Sequence, residues 1–240
     1  QCFLKSNGGN VISDDGTKVE LDSPESVEVL QAISDMVNVH HVAPAPGTSA
    51  RELDMSSAFL SETIAMVVAG TWNTQALAVA HQEDGVEFGI GVLPKFKESV
   101  TCGLGTPIVI YKDTENYDIC VDLVLYMLDP NNTIDLIHSG LWLCTDEEWF
   151  ENDDIINEKW LVEGVHPEHY TEAVIKYELT NLVPLPYYNI AYTNQIVDLY
   201  EQALQSVWMG NSTVEDVLET IVPEMQKVCD MWAADVAEYQ

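Results

Sequence analysis

The chain has 240 residues, 47% hydrophobic and 9% aromatic, which suffices for one large or two small cored domains and excludes a disordered segment. Forty acidic residues against nine lysines and arginines leave a formal net charge of -31, which repels nucleic acid and anionic membrane surfaces alike. No apolar run reaches the roughly 18 residues that a membrane span requires, and no signal peptide is visible.

The chain starts at Gln1 and enters the apolar Cys2-Phe3-Leu4 at once, as expected of a chain opened inside a fold. Two turn signals, Asn7-Gly8-Gly9 and Asp14-Asp15-Gly16, bracket Val11-Ile12 and read as a small hairpin. Ser23-Pro24 then opens a helix, with Ser as N-cap, Pro at the first position and Val29, Leu30, Ile33, Met36 and Val37 at helical spacing. The stiff loop APAPGTS (43–49) ends that unit. Residues 64–69, 88–93 and Ile108 to Tyr111 read as strands.

A helix with the stripe Cys120, Leu123, Val124, Met127 and Leu128 closes at Asp129-Pro130, and a shorter one from Ile134 to His138 stops at Gly140. Its place on that stripe suggests a buried thiol for Cys120. The acidic stretch 145–173 with its tryptophans carries no readable period. A regular stripe then joins Ile196, Leu199, Tyr200, Ala203, Leu204 and Val207, ended by Gly210. Ser212 and Glu215 have capping-box spacing for a last helix, which Pro223 should kink because it has no N–H to donate. Five cysteines, widely spaced and without a CxxC, argue against a complete disulfide framework and leave a single bridge open. Strands mixed with helices make the chain α/β.

Five stretches in order carry a resemblance: NGGNVISDDGTKVELDSPESVEVLQAISDMV; AFLSETIAMVVAGTWN; FGIGVLPKF with TCGLGTPIVIYKDTENYDICVDLVLYML; NLVPLPYYNIAYTNQIVDLYEQAL; and WMGNSTVEDVLETIVPEMQKV. Together they resemble family 1 of the bacterial extracellular solute-binding proteins, the sugar-binding components of ABC importers. The resemblance implies a type II periplasmic-binding-protein-like α/β fold, of which this chain holds the second lobe plus part of the first. On that reading residues 1–103 are second-lobe, 104–142 first-lobe and 143–240 a return to the second lobe. An incomplete lobe exposes apolar faces, which favours association. Where the family usually carries Gly-Lys, this chain has Glu62-Thr63, expected to be a neutral surface change.

Sugars present hydroxyls and flat C–H faces, so a receptor needs aromatic surfaces beside hydrogen-bonding side chains. The resemblance projects Trp72 of Gly70-Thr71-Trp72 into the cleft with Asn73 beside it; the competing reading is an indole packed under its own strand. Tyr192 falls where a cleft tryptophan occurs in maltose-binding protein. Tyr187 and Tyr188 serve equally as cleft residues or as a staple holding the helix start. Gly103 flanks a lobe crossing, where close backbone approach fits better than a phosphate cradle, since GLGT lacks the Lys of a P-loop. Trp142 follows the expected re-entry point and is a weaker candidate, whereas Trp149, Phe150 and Trp160 read as packing or surface residues.

Enzymatic readings find little: no HExxH or GxSxG occurs, and His166 and His169 are too few for a metal site. DPNNTIDLIHSG mimics a calcium loop but has Ile and Gly where that loop needs Gly and Glu. The expectation is therefore non-catalytic, extracytoplasmic binding of a sugar for an ABC permease, without cofactor, metal or nucleic acid. Any membrane contact would run through that permease or a lipid anchor outside this chain. A secreted carbohydrate-active enzyme and a receptor for a polyamine are the alternatives.

Overall fold

The computed structural model describes residues 1–48, 55–105, 107–185 and 190–238. In chain order its helices are α1 (Cys2–Asn7), α2 (Pro24–Asn38), α3 (Met55–Leu60), α4 (Asn73–Asp84), α5 (Tyr117–Leu128), α6 (Ile134–His138), α7 (Glu147–Glu151), α8 (Asp153–Ile155), α9 (Tyr177–Asn181), α10 (Thr193–Trp208) and α11 (Val214–Glu238). Wide π-type turns occupy Ile156–Trp160 and Thr171–Lys176. Strands β1 (Thr101–Gly103) and β2 (Leu182–Pro184) pair in parallel, with Thr101 opposite Leu182 and Gly103 opposite Pro184. Two compact units result: residues 1–52, 93–104 and 182–240 form the first, 53–92 and 105–181 the second.

Local chemistry explains the elements of the first unit. Gly8, at φ 86°, closes α1, and the Gly9 N–H reaches back to the Leu4 carbonyl at 2.8 Å in a Schellman-type cap. The first of the two turn signals is therefore a helix end. The second is the expected turn: Ile12 bridges Val19, and the Asp15 carboxylate accepts from the Ser13 hydroxyl (2.6 Å) and the Thr17 N–H (3.0 Å). Those donors hold Asp15 down at a pKa of about 2. Ser23 caps α2 as its sequence announces, accepting from the Ser26 N–H at 3.2 Å.

The apolar faces of α2, α10 and α11 meet the hairpin in one core that includes Leu4, Val11, Ile12, Val29, Ile196, Leu204, Val207, Leu218, Met225 and Cys229. Gln226 of α11 seals its edge, accepting from the Val19 N–H at 3.0 Å and donating to the Thr17 carbonyl at 2.8 Å. The cap of α11 lies one residue later than Ser212: the Thr213 hydroxyl accepts from the Asp216 N–H at 3.1 Å. Pro223 stands inside that helix, and the chain remains helical through it.

In the second unit the unreadable acidic stretch supplies the core. Trp149, Ile156, Trp160, Tyr170, Val174 and Ile175 are buried around Ile137 and Cys144, with Phe150 edge-on to Trp160 at 4.9 Å between centroids. Irregular π-type turns place these side chains at spacings no helical template matches, while the acids between them stay in water. Segments 64–69, 88–93 and 108–111 form neither helix nor paired strand among the described residues. A strand is a paired object, and an apolar run specifies no partner. The helix α5 forms where expected, yet none of its side chains is buried, and Cys120 is half-exposed where burial was expected. Glu62 is exposed, as expected, but sits at φ 55°. Glycine adopts that conformation freely, whereas a side chain there costs about 1 kcal/mol.

Candidate functional site

The clearest site chemistry lies at the turn that starts α4. The Gly70 carbonyl accepts from both the Asn73 backbone N–H (3.0 Å) and the Asn73 side-chain amide (3.1 Å), and Thr71 accepts from the Thr74 N–H (3.0 Å). This tight turn throws the Trp72 indole back across Gly70. A Cβ at residue 70 would lie 2.2 Å from the six-membered ring, so no residue larger than glycine fits under it. The small residue two places before the tryptophan is thus a seat for the ring. Trp72 remains 47% exposed, which removes the reading of an indole packed beneath its own strand.

Three further residues, which the sequence did not single out, hold this turn in place. Thr74 is buried, and its hydroxyl hydrogen-bonds the phenol of Tyr170, which sits in the core of the unit. Burial pushes the Tyr170 pKa up, so the phenol stays protonated. Gly140, at φ 76°, packs on the other side: a Cβ there would stand 2.9 Å from the Thr74 methyl and 3.3 Å from the Gln75 nitrogen. Two residues beyond Gly140, Trp142 is 39% exposed. The structure therefore brings the loop of Trp142 against the turn of Trp72 and Asn73. A threonine behind a tryptophan carries no sequence signal, because its partners Gly140 and Tyr170 are 66 and 96 residues away.

The remaining candidates belong to the first unit. Tyr192 stands at the start of α10, half-buried against the core, and its hydroxyl donates to Asp235 of α11 at 2.5 Å. It ties two helices together at that point. Gly103 ends β1, and a Cβ there would meet the Leu182 side chain at 3.0 Å, so it serves close strand approach. Tyr187 and Tyr188 lie outside the described residues.

The calcium-loop mimic is an ordinary turn, with Asp129 accepting from the Asn131 N–H at 2.9 Å. Among the described residues no group of three or more His, Cys, Asp or Glu side chains is placed to hold a metal ion, and no helix is long and apolar enough to cross a membrane.

Among solved structures, an ABC substrate-binding protein from Listeria monocytogenes in complex with cycloalternan superposes with a TM-score of 0.74 at 22% identity, covering 93% of this chain and 54% of that one. A solute-binding protein of an ABC transporter from Thermotoga lettingae, bound with α-D-tagatose, gives 0.67 at 21% identity, covering 95% and 55%. These likenesses establish a periplasmic-binding-protein-like fold, and the chain spans about half the length of either structure. No curated protein matches the sequence. Residues 1–147, more than half of the chain, match the profile described as bacterial extracellular solute-binding protein, and the chain belongs to that family.

Proposed function

We propose that the chain contributes binding surface to an extracytoplasmic receptor that captures a sugar or oligosaccharide without transforming it and delivers it to an ABC permease. The observation that carries this reading is the half-exposed Trp72, braced over Gly70 with the loop of Trp142 beside it. A flat ring fixed in advance loses little rotamer entropy when a pyranose stacks on it. Asn73 would supply hydrogen bonds to hydroxyls, and the two similar solved structures hold cycloalternan and α-D-tagatose. Transport then follows from lobe closure: a ligand that binds the closed form better shifts the population that the permease reads. A cell-surface or periplasmic location, with a lipid anchor or the permease as the membrane contact, accompanies this role.

Titration calorimetry with cycloalternan and tagatose tests it. Saturable binding without product is expected, with Trp72→Ala weakening it about tenfold or more and Trp72→Phe retaining most of it. Unchanged affinity in Trp72→Ala would remove Trp72 from the site. Appearance of a cleaved product would point to an enzyme, and heat from spermidine in place of sugars would point to a polyamine receptor.

A further inference from the structure

The helix α1 is laid along the segment that runs into β1. The Ser6 hydroxyl donates to the Glu98 carbonyl at 2.6 Å and accepts from the Phe96 N–H at 2.9 Å, while the Ser6 carbonyl accepts from the N–H groups of Lys97 and Glu98 at 3.0 Å each. Phe3 meets Phe96 edge-on, 6.3 Å between centroids. One turn before Ser6 the same alignment brings Cys2 to Cys102 in the middle of β1, and the two thiols hydrogen-bond to each other. Both are half-buried free thiols of the first unit. Sulfurs in such contact need approach by only about 2 Å to reach bonding distance.

We infer that Cys2 and Cys102 form an oxidisable pair that closes into a disulfide between α1 and β1, by exchange with a low-molecular-weight disulfide. The Cys2 thiolate attacks one sulfur of the small disulfide, whose S–S bond breaks and releases one small thiolate. Cys102 then gives up its proton and attacks the Cys2 sulfur, forming the protein cross-link and expelling the second small thiolate. The two protein thiols are oxidised, the small disulfide is reduced, and the two protons end on the released thiols. The hydrogen bond from Cys102 favours this order, since it lowers the Cys2 pKa to about 6. Cys144 and Cys229 are buried, which raises their pKa and keeps them unreactive. An extracellular family works where such bonds persist. The bridge would pin α1 to the strand whose end leads the chain out of the first unit at Leu104. This inference stands apart from the sugar-binding reading.

The test is to incubate the purified chain with oxidised glutathione, block remaining thiols with N-ethylmaleimide, digest with a glutamate-specific protease without reduction and map the cysteines by mass spectrometry. A peptide pair joined through Cys2 and Cys102 is expected, with Cys144 and Cys229 recovered as blocked thiols. The oxidised chain should melt roughly 5–15 °C above the chain kept in dithiothreitol. Cys102→Ser, with folding checked by circular dichroism, should retain a stable glutathione adduct on Cys2 and lose the thermal gain. Cys2 and Cys102 recovered as separately blocked residues in the oxidised parent chain, or joined to other cysteines, would overturn the inference.

Discussion

A half-buried histidine two side chains away from Trp72's turn sets a pH limit on the second unit. His166 accepts the Val162 N–H on Nδ1 at 2.9 Å, so its proton resides on Nε2, and its ring stands 4.6 Å from that of Tyr170. Burial first, and the neighbouring His138 second, lower its pKa from 6.5 to about 4. The unfolded chain therefore binds a proton near 6.5 that the folded chain refuses until about 4. Its contribution is complete above 6.5 and is lost as pH falls through that window. Melting temperatures should decline from neutral pH to about 5, before most carboxylates titrate. His166→Gln should flatten that slope, and a slope that survives the substitution would assign the effect elsewhere. Because Tyr170 also holds Thr74, acid should loosen the seat of Trp72 along with the core.

At the scale of elements, caps and stripes decide what a sequence reveals. Thr213→Ala removes the acceptor of the Asp216 N–H and should cost about 1 kcal/mol, read as a fall of roughly 2–4 °C in the melting temperature, whereas Ser212→Ala should cost far less. Helices with a local signature were legible: α2 begins at its Ser-Pro, α6 runs from Ile134 to His138 as read, and α10 carries its stripe. The runs 64–69, 88–93 and 108–111 were read as strands and are unpaired, because pairing is decided by residues far away in the chain. Among the described residues only β1 and β2 pair as strands, 101–103 with 182–184, and at three residues each they are too short to announce themselves. At the proposed site, the Gly-x-Trp setting of Trp72 was singled out by the resemblance, and the structure leaves its ring half-exposed. Its supports at Thr74, Gly140 and Tyr170 were not, since each matters only through contacts made across the fold.

Across the whole molecule, an excess of acid coexists with an uncovered apolar helix. On α5, Ile119, Leu123 and Tyr126 follow one face and are 67%, 56% and 58% exposed. Their apolar area favours self-association, while a net charge of -31 opposes it. Salt screens the second effect and leaves the first, so association should rise from low salt to about 0.5 M sodium chloride in sedimentation-velocity runs. Replacing Ile119, Leu123 and Tyr126 with Glu should keep the chain monomeric throughout. A parent chain that stays monomeric at high salt would show that α5 is satisfied by itself.

The core of the first unit joins side chains from residues 4–30 to others from 190–229. A ribosome adds about 5–20 residues each second, so Val11, Ile12 and Val29 wait on the order of 10–40 s for the helices that cover them. The first unit therefore cannot close until residues 190–229 are made, whereas the core of the second, Ile137 to Ile175, lies wholly earlier in the chain.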